Sequence, residues 1–90
     1  MTVEFLRIAM VELEDAVAYY NQQSEGFGYQ FAVEVQKTLH RIVEFPEAWP
    51  VVSERTRRCR LRRFPYGVIY RGHAHASTPG YVAESSITTS

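Results

Sequence analysis

A run of arginines in the second half of the chain constrains this sequence more than any other feature. Five of the seven residues 57–63 are arginine, and an apolar, aromatic stretch follows directly. On a β-strand, successive side chains alternate between the two faces. Cys59 and Leu61 therefore fall on one face. The other face carries Arg58, Arg60 and Arg62. Because like charges at neighbouring positions repel each other, this stripe favours a surface that meets an anionic partner.

The charge of the chain is divided between its two halves. The 90 residues have a formal net charge of zero. Residues 1–50 hold three basic and eight acidic residues, a net charge of −5, and residues 51–90 hold seven arginines and two glutamates, a net charge of +5. This asymmetry is consistent with a basic face for nucleic acid or an acidic partner, or with two halves that neutralise each other in the fold.

Length and composition predict one small domain of a reducing compartment. Residues 1–82 are expected to form the domain, and the small, polar residues 83–90 a frayed tail. A single cysteine, Cys59, allows no intrachain disulfide. The sequence has neither a leader pattern nor an apolar run of about 18 residues, so we expect a cytoplasmic protein without a membrane span. His73 and His75 have no acidic residue or cysteine nearby in the sequence that could complete a metal site. We therefore expect no metal site and no cofactor.

Two amphipathic helices are predicted in the first half. Apolar residues recur there every three or four positions, which places them on one face of a helix. In the first stretch they are Ala9, Leu13, Ala16 and Tyr20. In the second they are Phe31, Val35, Leu39 and Ile42. Glycines at 26 and 28 interrupt the pattern and Pro46 ends it, so the short connection predicts an antiparallel helical hairpin.

Short strands are predicted on both sides of this hairpin. Residues 3–6 can form the first strand, and residues 51–52, 56–64 and 67–71 have the composition of further strands separated by turns. Two helices of this length cannot bury both apolar stripes on each other, so the strands must supply a second layer. The sequence therefore predicts an α+β fold of order β-α-α-β-β, with the helical hairpin packed on a small antiparallel sheet.

Several segments carry a family resemblance, in one order, from about Val3 to Arg71. They are residues 12–20 and 26–35 in the helices, the Phe-Pro-Glu-Ala-Trp-Pro segment at 45–50, and the arginine-rich run with the strand that follows it. This ordered set resembles the RelE/ParE superfamily, the toxin half of bacterial type II toxin–antitoxin modules, whose members are often called plasmid stabilisation proteins.

The C-terminus departs from the family pattern. Family members continue past the strand ending at Arg71 with a turn, another hydrophobic strand and a basic, aromatic ending. Here His75, Pro79, Gly80 and Tyr81 can be placed on that ending, and about ten residues of strand are then missing. The comparison predicts a shortened or altered C-terminus.

The resemblance implies a growth-inhibiting toxin with one of two mechanisms. RelE-like members are ribosome-dependent endoribonucleases that cut mRNA, whereas ParE-like members lack the nuclease residues and poison DNA gyrase. In this chain the arginine that RelE-like nucleases carry in the strand before Arg71 falls at Gly67. Arginine is also a poor proton donor or acceptor near neutral pH. A ParE-like gyrase inhibitor is therefore the preferred interpretation, and an attenuated toxin that only binds antitoxin is a third alternative.

Candidate site residues follow from the same comparison. If the chain were a nuclease, cations and proton-transfer groups would come from Arg58, Arg60, Arg62, Arg71, His75 and Tyr81. Binding of antitoxin or nucleic acid is assigned to Arg57, Arg58, Arg60, Arg62, Arg63 and Arg71. The resemblance also implies a cognate antitoxin, in a hetero-oligomer, whose disordered segment folds on the toxin and whose acidic residues meet the arginines. DNA gyrase or ribosome-bound mRNA would be the target.

Overall fold

The computed structural model describes residues 3–73 and 80–88, which form two helices and four strands. The helices are α1, Arg7–Gln23, and α2, Phe27–Glu44. The strands are β1, Val3–Phe5, β2, Arg57–Arg60, β3, Tyr66–His73, and β4, Gly80–Thr88. The predicted α+β fold, a helical hairpin packed on a sheet, is confirmed.

Two glycines make the helical hairpin tight. Gly26 lies between the helices with φ of 81°, a left-handed conformation that glycine adopts without a steric penalty. Gly28 lies where the helices come close together, because a Cβ atom at this position would be only 2.7 Å from the carbonyl oxygen of Val17. The two glycines that interrupt the helical pattern therefore form the turn and allow close packing of the helices.

The sheet is mixed, which corrects the prediction of an antiparallel sheet. The strand order is β1-β4-β3-β2, in which β3 is antiparallel to both β2 and β4, and β1 is parallel to β4. Two antiparallel pairings give β4 the direction of β2, and the N-terminal strand then joins β4 along its free edge. A period of two in the sequence assigns the faces of a strand but not the direction of its neighbour.

The structure also corrects the prediction that a strand is missing after Arg71. That strand is present as β4, and its pairing with β3 runs from His73 opposite Gly80 to Tyr66 opposite Thr88. Tyr81 therefore lies at the start of this strand and not in a C-terminal ending. The pairing also continues to Thr88, into the segment 83–90 that was expected to be frayed. The sequence of this strand is rich in small and hydroxyl-bearing residues and therefore predicts a β-strand only weakly.

Two predicted strands are shorter than expected. The pair 51–52 contributes only an isolated bridge between Val51 and Arg57. The predicted strand 56–64 ends at Arg60, because the chain then turns through Pro65 and the Leu61 N–H bonds to the Tyr66 carbonyl at 2.9 Å. The exposed segment Arg62–Arg63 consequently lies in a turn at one end of the sheet.

The core lies between the helical hairpin and one face of the sheet. Its centre is aromatic, with the Phe31 ring in edge contact with Phe64 and Tyr66 at centroid distances of 5.1 and 4.8 Å. Trp49 packs against the edge of this core, as expected for a bulky residue between the helices and the sheet. Within the described part of the chain, neither helix has the length and apolar character to cross a membrane.

Candidate functional site

The alternation of side chains along β2 places Arg58 and Arg60 on the sheet face away from the core, whereas Arg57 lies on the same face as Cys59. Cys59 pairs with Val68 and is buried, whereas Arg58 pairs with Ile69 and is half-buried. Arg60 is exposed. Leu61, one position beyond the strand, is buried again. The predicted alternation of buried and outward-facing side chains therefore holds from Arg58 to Leu61.

Gly67 makes room for one of these arginines. It pairs with Arg60 on the neighbouring strand, and a Cβ atom at Gly67 would lie 3.2 Å from both Cγ and Cδ of Arg58. The aliphatic part of Arg58 therefore lies across the glycine. An arginine at position 67, which the family resemblance associates with nuclease activity, would compete with Arg58 for this space.

A groove of about 400 Å³ runs along the outer edge of β2. We call it the arginine groove, and its lining residues are Arg41, Trp49, Pro50, Arg58, Arg60, Leu61 and Arg62. It contains three of the predicted site residues and adds a fourth arginine from α2. The described lining residues thus include four arginines and no carboxylate, a composition that favours contact with an anionic group.

Arg41 is a member of this groove that sequence reasoning missed. Its Nη2 donates to the Arg60 carbonyl at 3.0 Å and to Thr38 Oγ1 at 3.1 Å. Its guanidinium carbon lies 6.0 Å from the centre of the Trp49 ring, and the Trp49 Nε1 donates to the Arg41 carbonyl at 3.4 Å. Arg41 thus connects α2, the loop before β2, and β2 itself.

A polar seam on α2 holds the arginine-rich segment in place. Its residues are Gln30, Glu34, Thr38 and Arg41, spaced four, four and three apart on one side of the helix. The buried Glu34 accepts the backbone N–H of Arg62 at 3.3 Å. Gln30 accepts a bond from Arg63 Nη2 at 3.3 Å. This helical spacing of polar residues beside the apolar stripe was the signal from which the seam could have been predicted.

Two arginines assigned to binding have partners within the chain. Arg57 Nη1 donates to the carbonyls of Glu47 and Trp49 at 3.1 and 2.8 Å, which fixes the loop that precedes β2. The Arg63 guanidinium carbon, besides the bond to Gln30, lies 5.9 Å from the centre of the Phe64 ring. Both side chains therefore contribute to the fold in addition to any binding.

A second basic cavity has a volume of about 240 Å³ and is lined in part by both ends of the loop that precedes β2. We call it the end cavity, and its lining residues are Pro46, Glu47, Arg55, Arg57, Tyr70, Arg71, Gly72 and Tyr81. It shares no lining residue with the arginine groove. The structure thus places the nuclease candidates Arg71 and Tyr81 in one cavity and Arg58, Arg60 and Arg62 in another. His75 lies outside the described residues.

Burial controls the ionisation of two groups near these cavities. Burial raises the pKa of Tyr70 to about 12, and its neutral hydroxyl donates to the Pro46 carbonyl. Burial also raises the pKa of the Cys59 thiol, although the nearby Arg41 acts in the opposite direction. A protonated, buried thiol is a poor nucleophile. Among the described residues, no cluster of three or more histidine, cysteine or acidic side chains could hold a metal ion.

A third groove, on the opposite side of α2, is apolar. It has a volume of about 420 Å³ and lies between the helical hairpin and β1. Its lining residues are Phe5, Leu13, Val17, Tyr29, Ala32, Val33, Val35, Gln36 and Leu39. Tyr29 is 75% exposed in this chain. Exposed aromatic and aliphatic side chains around one groove are typical of a surface that receives an amphipathic helix.

Comparison with known proteins identifies the fold. No protein-family model matches the chain, and no curated protein matches it significantly. The chain is similar to a chain in the solved structure of the "Chromosomal ParDE TA system from P. aeruginosa", with a TM-score of 0.78 and 15% sequence identity. The similarity covers 100% of this chain and 97% of the other. The predicted resemblance is thus confirmed at the level of the fold, and this chain has the fold found in that ParDE system.

Proposed function

We propose that this chain is the toxin of a type II toxin–antitoxin module and that it is ParE-like, arresting bacterial growth by poisoning DNA gyrase. The observation that carries the proposal is the full-length similarity in fold to a chain of a ParDE system. The ordered sequence segments from Val3 to Arg71 support the same family independently. A cytoplasmic location follows from this function, since gyrase acts on the bacterial chromosome.

The composition of the arginine groove favours gyrase inhibition over RNA cleavage. Cleavage through a 2′-hydroxyl needs a group that accepts its proton and an acid for the leaving oxygen. The described lining of the groove holds four arginines but no histidine, lysine, tyrosine or carboxylate. Arginine keeps its proton at neutral pH and therefore supplies charge without acid–base chemistry. Tyr81, the candidate acid, lines the end cavity instead.

The cognate antitoxin is proposed to occupy two surfaces on opposite sides of α2. An amphipathic helix of the antitoxin would cover the apolar groove, and an acidic segment would meet the arginine groove. A segment that is disordered when free can wrap both surfaces, because it folds as it binds. Covering the arginines would explain how the antitoxin neutralises the toxin.

Purified components test the mechanism. The chain is added to DNA gyrase and relaxed plasmid with ATP, and in parallel to ribosomes translating a defined mRNA. The proposal expects loss of supercoiling, or cleaved plasmid trapped with gyrase, and intact mRNA. Codon-phased mRNA cuts with normal supercoiling would instead establish the RelE-like alternative. Tight antitoxin binding with neither activity would identify the attenuated toxin.

A further inference from the structure

The end cavity gathers basic residues around a small, partly open space. Three guanidinium side chains line it, those of Arg55, Arg57 and Arg71. One carboxylate, that of Glu47, is also in the lining. Arginines therefore outnumber carboxylates in the described lining. Proteins bind phosphate and carboxylate groups with arginines of this kind, because each guanidinium offers several N–H donors in a fixed plane.

Part of this lining is held in place by bonds within the chain. Arg57 donates to the carbonyls of Glu47 and Trp49, in both cases from Nη1. These bonds fix the plane of the guanidinium and leave Nη2 and Nε without a partner among the described residues. The Tyr70 hydroxyl is bound to the Pro46 carbonyl, and the Tyr81 ring packs edge-on at 6.0 Å from Tyr70. A wall that is ordered before a ligand arrives loses little entropy on binding.

The size and charge of the cavity define its ligand. Its volume of about 240 Å³ is below the range of about 300–1,000 Å³ that is typical of sites for whole cofactors or drug-sized ligands. A phosphate monoester group carries a charge of about −1.5 to −2 at neutral pH, so arginines attract it more strongly than they attract a diester monoanion. We infer that the end cavity binds the phosphate of a monoester, with Arg55 and Arg57 as its donors and Arg71 as a further source of charge. This inference is independent of the proposed toxin activity.

The experiment compares two small probes on the full chain. Methyl phosphate, a monoester dianion, and dimethyl phosphate, a diester monoanion, are titrated at pH 7.5 and constant ionic strength while backbone amide signals are recorded by NMR. We expect saturable binding of methyl phosphate, with the largest shifts at Arg57, Tyr70 and Gly72. Dimethyl phosphate should bind more weakly, by about tenfold, since it carries half the charge. Equal affinities, or the largest shifts in the arginine groove, would overturn the inference.

Three variants sharpen the test. Arg55→Gln removes one exposed donor from a loop and should weaken binding about three- to fivefold. Glu47→Gln removes the opposing carboxylate and should strengthen binding, a change that a damaged fold would not produce. Lys37→Gln lowers the net charge equally but lies on the exposed side of α2, and should leave the affinity unchanged. The same weakening in Lys37→Gln as in Arg55→Gln would mean that only overall charge is sensed, which contradicts a defined site.

Discussion

The Nη2 atom of Arg41 lies 3.0 Å from the carbonyl oxygen of Arg60, and this bond joins the last turn of α2 to the edge strand β2. The two residues are 19 positions apart in the chain. The same nitrogen is 3.1 Å from Thr38 Oγ1, so the guanidinium is fixed from both sides. The shape of the arginine groove consequently depends on a helix residue as much as on the arginines of β2.

Replacement of Arg41 should therefore destabilise the protein. Arg41→Ala removes two charge-assisted hydrogen bonds and the packing on Trp49, and we expect a loss of about 1–2 kcal/mol in the free energy of unfolding. Urea denaturation measures this loss. Lys37→Ala, an exposed change on the same helix, is the control and should cost less than about 0.5 kcal/mol. Equal losses in the two variants would show that the Arg41 bonds contribute nothing.

The contact between the helices predicts a difference between two glycine substitutions. In Gly28→Ala the new methyl group would lie 2.7 Å from the Val17 carbonyl oxygen and 2.9 Å from Asn21 Cβ, so the helices must separate. We expect a cost of about 1–3 kcal/mol, as for other overpacked positions. At Gly72 a Cβ atom has no neighbour within 4 Å among the described residues, and Gly72→Ala should be neutral or slightly stabilising. Thermal unfolding of both variants tests this, and a Gly28→Ala variant as stable as the parent would refute the close packing.

Much of this architecture follows from local patterns in the sequence. The apolar stripes of α1 and α2 depend only on neighbouring residues, and so does the alternation through Cys59 and Leu61. Both patterns could therefore be predicted from the sequence. The direction of β1 beside β4 depends on which distant edge is free, and no local pattern contains that information. β4 itself was missed because its small side chains resemble those of a loop.

The candidate site residues divide in the same way. Arg58 and Arg60 were predictable as one stripe on a strand, whereas Arg62, predicted on the same strand, lies in the turn that follows it and still lines the arginine groove. Arg41 joins them only through the tertiary contact between α2 and β2, although its helical spacing from Glu34 and Thr38 was visible. The position of Arg71 and Tyr81 in a separate cavity depends on the pairing of β3 with β4, which the sequence does not specify.

The ionisation of Tyr70 predicts how stability changes at alkaline pH. Its pKa is about 12 in the folded protein and about 10 in the unfolded chain, so the folded state holds the proton more tightly between these values. The stabilisation from the neutral phenol is complete below pH 10 and is lost as the pH rises from about 10 to 12. Urea denaturation between pH 8 and pH 11 measures this loss.

The Tyr70→Phe variant provides the control for this pH dependence. It lacks the ionisable group and the bond to the Pro46 carbonyl, so at pH 8 it should be less stable by about 1 kcal/mol. The difference from the parent should then shrink above pH 10. Other groups that titrate in this range are shared by both proteins and cancel in the comparison. A difference that stays constant up to pH 11 would contradict the raised pKa.

Charge reversal in the arginine groove tests its role in antitoxin binding. The variant Arg58→Glu, Arg60→Glu, Arg62→Glu replaces three positive charges with negative ones, so an acidic antitoxin segment should be repelled and its affinity should fall at least about a hundredfold. Calorimetry with the proposed cognate antitoxin gives the affinity. A control with charge reversed only at Arg7, which is exposed at the start of α1, should bind as the parent does. Unchanged binding of the triple variant would show that the acidic segment of the antitoxin does not bind in the arginine groove.

The most direct test of the proposed function is to induce this chain alone in a bacterial culture that carries a DNA-damage reporter. Gyrase poisoning leaves double-strand breaks, so the account predicts arrested growth with the reporter switched on, and recovery when the antitoxin is co-expressed. Arrest with a silent reporter would contradict gyrase as the target and favour mRNA cleavage. Normal growth, with the folded protein present in the cells, would contradict toxin activity altogether.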